Sequence, residues 1–421
     1  VARGDGSEAV NFGSVTTSGI DAFGMQALNG GAAFNEEGGI ITTSGMGAHG
    51  MMASNDSYVW NDGTINTSGD NAIGMYALGG SSADNYGTIA TWGEGAHGMK
   101  AEDGSTAQNW GEVTTYGNAA FGMYALNSSF IFNYGAESIE TWGDGSHGMV
   151  ADTDSYAYND GSITTHGYDA HGMYALIGSE ADNYGDILTT QRRSYGMLAE
   201  EGSTVINRQS GTITTEENWA HGMVALSGSL ASNLETGTIL TTSDDSYGML
   251  ASGSGSQGTN KGAITTVGSG SHGMVASDDA VADNLGSITT SGDGAYGMLA
   301  LGGAIARNQE DGIIETWGTG SHGMVADGVD SLVSNRGSVT TNGTASHGML
   351  ALNGAQAVNL ETGSIVTTSS DSYGMLASGT GSLAVNRGDI ETFGSGSHGM
   401  VADQGARALN FGDITTHGES A

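Results

Sequence analysis

Apolar and polar positions alternate along this chain in one repeated phrase. Gly-Met-x-Ala occurs sixteen times, from Gly24-Met25-Gln26-Ala27 to Gly399-Met400-Val401-Ala402, at steps of 24 to 26 residues. Ten residues before every one of these Mets stands Ile or Val (Val15 to Ile390), and eight before stands Thr (Thr17 to Thr392). Ten or eleven residues after stands Asn. A period of this length in a strictly patterned chain reads as a solenoid, in which each unit buries its apolar face against its neighbours.

Within one period the pattern predicts strands. In Asn85 to Ala101, Ile89 and Thr91 share one face of a short strand and Ala90 takes the other. Trp92-Gly93-Glu94-Gly95 is a turn by composition. Ala96 to Ala101 reads as a second strand, Glu102-Asp103-Gly104 as a turn, and Ser105 to Gln108 as a third strand ending at Asn109. Spacing varies mainly between the Asn and the next Ile or Val: four residues in most periods, six after Asn35, Asn133, Asn207, Asn233, Asn308 and Asn359. An insertion of two keeps a strand's in-and-out alternation, so the even step argues for strands over helices. The expected fold is all-β: a right-handed parallel β-helix (β-solenoid) of about 17 coils of 24–26 residues. It has three short strands per coil and a length of roughly 80 Å at about 4.8 Å per coil. Residues 1–421 read as a single continuous β-solenoid, an interior segment of a longer rod, since neither end carries an atypical capping repeat.

Composition narrows the function. The chain has 46 acidic and 10 basic residues, a formal charge of −36, which disfavours nucleic acid as a partner. It has no Cys, hence no disulfide or thiol chemistry, and no Pro to interrupt a backbone ladder. The 74 glycines fall at fixed repeat positions and form no Gly-X-Y series. No apolar run is long enough for a transmembrane helix, so no membrane insertion of this segment is expected.

Seventeen asparagines occur once per coil: Asn11, Asn35, Asn61, Asn85, Asn109, Asn133, Asn159, Asn183, Asn207, Asn233, Asn260, Asn284, Asn308, Asn335, Asn359, Asn386 and Asn410. A side-chain amide both donates and accepts, so a column of them builds an internal ladder. The x of Gly-Met-x-Ala is also patterned. Tyr76, Tyr124, Val150, Tyr174, Leu198, Val224, Leu250, Val275, Leu299, Val325, Leu350, Leu376 and Val401 are apolar where an outward residue should be polar. Two readings compete here: a lateral contact stripe against another chain, or a Gly bend that turns both x and Met inward.

The residue before Gly-Met is His nine times and otherwise mostly aromatic, which suggests a stacked ring column rather than a metal site. Histidines two coils apart stand too far from one another to share an ion. Acidic turns such as Asp152-Thr153-Asp154, Asp244-Asp245 and Asp278-Asp279 offer oxygen ligands for calcium, with a solvated acidic edge as the plainer reading. No other cofactor is expected. Arg3, Gly4 and Asp5 form a tripeptide recognised by some cell-surface receptors, a short motif with a high chance rate. Arg193 occupies the turn slot that Trp219 holds one coil later, which suggests a cation–π or salt-bridged local staple. No flat outward Thr-x-Thr array of the ice-binding kind is present, and no catalytic set stands outside the repeat; no enzyme activity is expected.

The phrase Asn-x-Gly-x-Ile-x-Thr-x-Gly-x-x-Ala-[His/Tyr/Phe]-Gly-Met-x-Ala, as at Asn284 to Ala300, resembles repeats in passenger domains of bacterial autotransporters, the type V secreted proteins. The resemblance covers the whole chain. It implies export across a Gram-negative envelope to the cell surface or beyond, and roles in adhesion, aggregation or biofilm. Asn233 to Ser256 and Asn359 to Ser382 agree at 20 of 24 positions, 126 residues apart, as if five coils had been duplicated as a block. Length is what such a duplication adds. The expected function is therefore a non-enzymatic stalk, adhesin shaft or self-assembling fibre subunit, with self-association or a host or neighbouring cell surface as partners. The alternative is a binding module for a receptor or carbohydrate, or, further off, a carbohydrate-active β-helix enzyme.

Overall fold

The computed structural model describes residues 1–135 and 138–419; Ala136, Glu137, Ser420 and Ala421 lie outside the described residues. The chain forms two compact units, residues 1–206 and 207–421. Each is a parallel β-solenoid whose coils contribute one strand to each of three sheets, with no helix among the described residues. We name the sheets I (the Met-x-Ala-x strands), II (strands ending at the repeated Asn) and III (strands ending at the repeated Thr).

Register is set column by column. In residues 1–206, Met75 pairs with Met99, Asn85 with Asn109, and Thr91 with Thr115. In residues 207–421, Met298 pairs with Met324, Asn308 with Asn335, and Thr290 with Thr316. Identical residues thus stack on identical residues, because a slip of one would expose the whole inner set. Met and Ala of sheet I point inward, as do Ile or Val and Thr of sheet III. Sheet II buries its Asn together with a small or branched apolar residue two positions earlier, such as Ala83, Ala107 and Ile131. The sequence reading had not singled out that last column.

Two boundaries differ from expectation. The Met-x-Ala strand starts at Met99, not Ala96, because Gly98 is a tight corner. A Cβ on the equivalent Gly172 would lie 2.3 Å from Ile187 Cγ2 and 2.6 Å from the Gly196 carbonyl oxygen, so only glycine fits there. The two-residue insertions also lie elsewhere than a parity rule for strands implies. They enlarge the corner between sheets II and III, where Gly39 N–H donates to the Glu36 carbonyl (2.7 Å) and Gly363 N–H to that of Leu360 (2.8 Å). The insertion after Asn133 includes Ala136 and Glu137, outside the described residues. Evenness reflects the addition of one hydrogen-bonded turn, which leaves the closing Gly in place.

Candidate functional site

The Asn, Ser and His side chains of the repeat are largely bound into coil-to-coil hydrogen bonds. Within each unit, each ladder Asn that has a following one donates Nδ2–H to that Asn's Oδ1. From Asn11 to Asn183 the distances are 2.7–2.8 Å, and from Asn207 to Asn410 they are 2.8–2.9 Å. The second Nδ2 hydrogen goes to the carbonyl of the corner Gly, as from Asn61 to Gly63 (3.2 Å) or, across an insertion, Asn35 to Gly39 (3.2 Å). Nearly all these asparagines are fully buried, so the ladder satisfies groups that would otherwise be costly to bury.

One further ladder and one recurring corner bond were not anticipated. At the corner between sheets I and II, the N–H of Ser57 donates to Ser81 Oγ (3.1 Å), that of Ser81 to Ser105 Oγ (3.1 Å), and that of Ser105 to Ser129 Oγ (3.3 Å). At the opposite corner the inward Thr hydroxyl donates to the carbonyl five residues on, as Thr67 to Ala72 and Thr165 to Ala170, both 2.7 Å. The signal was present as a Ser four residues before many of the ladder asparagines.

The ring column before Gly-Met stacks as expected, for example His97 on Phe121 at 4.7 Å and His272 on Tyr296 at 4.6 Å between centroids. Its histidines also have a bonding role. Eight of them accept, at Nδ1, the backbone N–H of the residue that precedes Gly-Met in the next coil, a ring-bearing residue in seven cases and Ile73 in the eighth. Examples are Phe121 N to His97 (3.0 Å), His171 N to His147 (2.9 Å), Tyr247 N to His221 (2.9 Å) and His347 N to His322 (3.0 Å). The remaining four acceptors are His49, His171, His272 and His347. An Nδ1 that accepts a backbone N–H carries no proton, so the neutral Nε2–H tautomer is required. Burial pushes the same rings down: His97, His147, His221 and His322 to about 3, and His49, His272 and His347 to about 4. A neutral imidazole committed to a main-chain donor is a structural acceptor, and a poor proton shuttle.

With this geometry in view, the family relations are plain. A family model described as the BigA third pectate lyase-like domain matches residues 1–136, 131–237, 215–309 and 302–412. The chain belongs to that family. Its repeats are those of an autotransporter passenger β-helix, a class exported to the cell surface or the extracellular space. A chain in the cryo-EM structure of the Vag8–C1 inhibitor complex superposes with a TM-score of 0.51 at 15% identity, over 96% of this chain and 99% of that one. At that identity the likeness shows the fold. No curated protein sequence matches the chain.

The other candidates in this passenger β-helix fall as follows. The x residues of Gly-Met-x-Ala do point outward, since Met and Ala alternate with them on the strand. They form no open stripe and do not turn inward. Val150, Leu198, Val224, Val275, Leu299, Val325 and Leu350 are buried, and Tyr76, Tyr124, Tyr174, Leu250, Leu376 and Val401 are half-buried. The chain's own ring column covers them: Tyr124 lies edge-on to His97 (5.3 Å) and Phe121 (5.4 Å), while Tyr247 and Tyr296 pack on the Val275–Leu299–Val325–Leu350 cluster. The apolar x column is thus a second, shallow core, which corrects the reading of it as a bare contact surface.

Arg3, Gly4 and Asp5 occupy a tight corner with Gly4 at φ 89°, Arg3 and Asp5 exposed. The acidic turns use their carboxylates locally: Asp152 accepts from Tyr124 (3.1 Å), Asp244 from the Ser269 N–H (2.8 Å) and Asp278 from Ser252 (3.1 Å). Among the described residues, no three His, Asp or Glu side chains converge in a geometry that could hold a metal ion. Arg193 and Trp219 share a left-handed corner conformation, φ 60° and 59°. Arg193 donates to the Tyr168 hydroxyl (3.3 Å), its guanidinium 6.0 Å from that ring's centroid.

Proposed function

We propose that this chain is a non-enzymatic structural element of an exported passenger: a cell-surface shaft that extends and presents rather than transforms. The observation that carries this reading is the commitment of its Asn, Ser, Thr and His side chains to inter-coil or corner bonds that recur coil after coil. A catalytic centre needs a local departure from the repeat, with groups poised toward a reacting atom. Here the buried imidazoles accept backbone N–H groups. The carboxylates of Asp84, half-buried, and Asp182, buried, accept from the Tyr58 and Tyr156 hydroxyls at 2.8 and 2.9 Å. The near-duplicate coils 126 residues apart support selection for length.

The experiment is an in-register deletion of residues 234–359, displayed on cells with an N-terminal epitope. A shaft lacking this block still folds and is still exported, and its epitope sits closer to the surface by about five coil spacings, roughly 24 Å. Cleavage of polygalacturonate by the purified full chain, followed by the ultraviolet absorbance of an unsaturated product, would refute the structural reading and favour the activity named in its family's description.

A further inference from the structure

The outer face of sheet II differs sharply between the two units. We take the outward positions one and three residues before each ladder Asn, and the corner residue after it. In residues 1–206 these positions hold twelve aromatic residues, seven Asp or Glu and no Lys or Arg. In residues 207–421 they hold one aromatic residue, one carboxylate (Asp283) and six cations. Those six, Arg208, Lys261, Arg307, Arg336, Arg387 and Arg407, are all the Lys and Arg of that unit. The rest of both units is acidic, so the placement is a pattern and not a matter of overall composition.

The aromatic face is continuous. Phe34, Trp60, Tyr86, Trp110, Tyr134 and Tyr158 run from coil to coil with centroids 4.8–6.2 Å apart. Asp62 and Asp84 lie on it half-buried and Asp160 exposed. The cationic face carries an open groove of about 380 Å³ lined by Arg307, Gln309, Leu332, Arg336, Val358 and Leu360. Lys261, Arg336 and Arg387 are exposed.

We propose that these faces dock on one another between two copies of the chain: the aromatic, acidic face of residues 1–206 in one molecule against the cationic, aliphatic face of residues 207–421 in a second. Guanidinium over aromatic rings and guanidinium to carboxylate are the matching contacts. Arg387 already stands 5.9 Å from the Phe411 ring within its own chain. Both faces are built on the same coil spacing, so columns of charge on one copy stay in step with those on another. A second copy satisfies that commensurability without further design. Local carboxylates do not remove the complementarity. Arg307 reaches Asp283 at 3.6 Å in a half-buried pair and Arg387 reaches Glu361 at 3.4 Å in an exposed one, the latter of small worth and free to exchange partners. Glu235, Glu310 and Asp311 stand in the enlarged corners beside the face. This inference goes beyond the shaft reading, which a strictly monomeric chain would equally satisfy.

The test uses the full chain and two charge-reversed versions, each checked for an unchanged far-ultraviolet dichroism spectrum. One carries Arg307→Glu, Arg336→Glu and Arg387→Glu; the other carries Glu36→Lys, Asp62→Lys and Asp160→Lys. In sedimentation velocity at low ionic strength, the native chain should self-associate and come apart in about 1 M salt, where the Debye length falls to about 3 Å. Each variant alone should associate at least about 100-fold more weakly, since like charges face each other. An equimolar mixture should recover association, because each variant supplies the face the other lacks. A native chain that stays monomeric, variants that associate like the native chain, or a mixture that fails to recover would each overturn the proposal. So would a native chain that remains monomeric while its aromatic face binds an added oligosaccharide; that result would assign the face to a glycan and leave the shaft reading intact.

Discussion

A ladder asparagine and the residue that follows it are neighbours in the chain and opposites in constraint. Asn335 is buried and bonded to Asn308, Asn359 and the Gly337 carbonyl, whereas Arg336 is exposed at the corner. The inward column is Asn in every coil; the outward one runs through Phe, Glu, Asp, Tyr, Trp, Leu, Lys, Gln and Arg. Inside, each side chain must match itself one coil away, because buried amides tolerate no missing partner. Outside, water satisfies whatever stands there, and the sequence is free to diverge into an aromatic face on one unit and a cationic face on the other.

The strongest way to break the inner rule is steric. Gly172→Val places branched carbon against the Gly196 carbonyl and Ile187, where even a Cβ is too close. We expect loss of about 4 kcal/mol or more, or failure to fold, read as a fall in the urea midpoint of the full chain. Replacing a ladder residue comes next. Asn109→Ala leaves Asn85 Nδ2 without its acceptor and Asn133 Oδ1 without its donor, for a loss of about 3 kcal/mol by the same measurement.

Acid should probe the histidine column. With folded values near 3 to 4 and an unfolded value near 6.5, these rings are neutral in the fold but take up protons in the unfolded chain below about pH 6.5. Stability from this source is therefore complete above about pH 6.5 and falls as pH drops toward 3 to 4. Each depressed pKa unit is worth about 1.4 kcal/mol, so a single ring contributes on the order of 4 kcal/mol across that window. His97 faces Lys100 and His49 as charged or titratable neighbours, and Tyr124 and Phe121 as rings. His97→Asn keeps an acceptor near the Nδ1 position and removes the titration. Melting curves between pH 7 and pH 4.5 should show a smaller acid-induced loss for this variant than for the native chain; an equal loss would place the acid sensitivity elsewhere.

Much of the inner architecture was legible because it repeats. The period, the three strands and the Asn column follow from residues that recur at fixed spacing, and a ladder is the one use of Asn that demands recurrence. The serine ladder and the imidazole acceptors were not legible, although their residues also recur. Their partners lie 24 to 26 residues away and are chosen by the path of the backbone through a corner, which spacing alone does not give. The apolar x column misled for a related reason. Alternation correctly places Leu299 on the outer side, but only the fold of the preceding corner shows Tyr296 lying over that cluster. The opposed characters of the two sheet II faces belong to outward positions that no fixed spacing marks, because the residue type there changes from coil to coil.

The smallest expected effect is the most informative about the outer face. Arg336→Ser should leave stability within about 0.5 kcal/mol of the native chain, as for an exposed side chain without a structural partner set. The most direct test of the whole account sets that substitution beside its neighbour: urea unfolding at pH 7 of Asn335→Ala and Arg336→Ser in the full chain. Asn335→Ala should lose about 3 kcal/mol and Arg336→Ser almost nothing. Equal losses, or a larger one for Arg336→Ser, would contradict it.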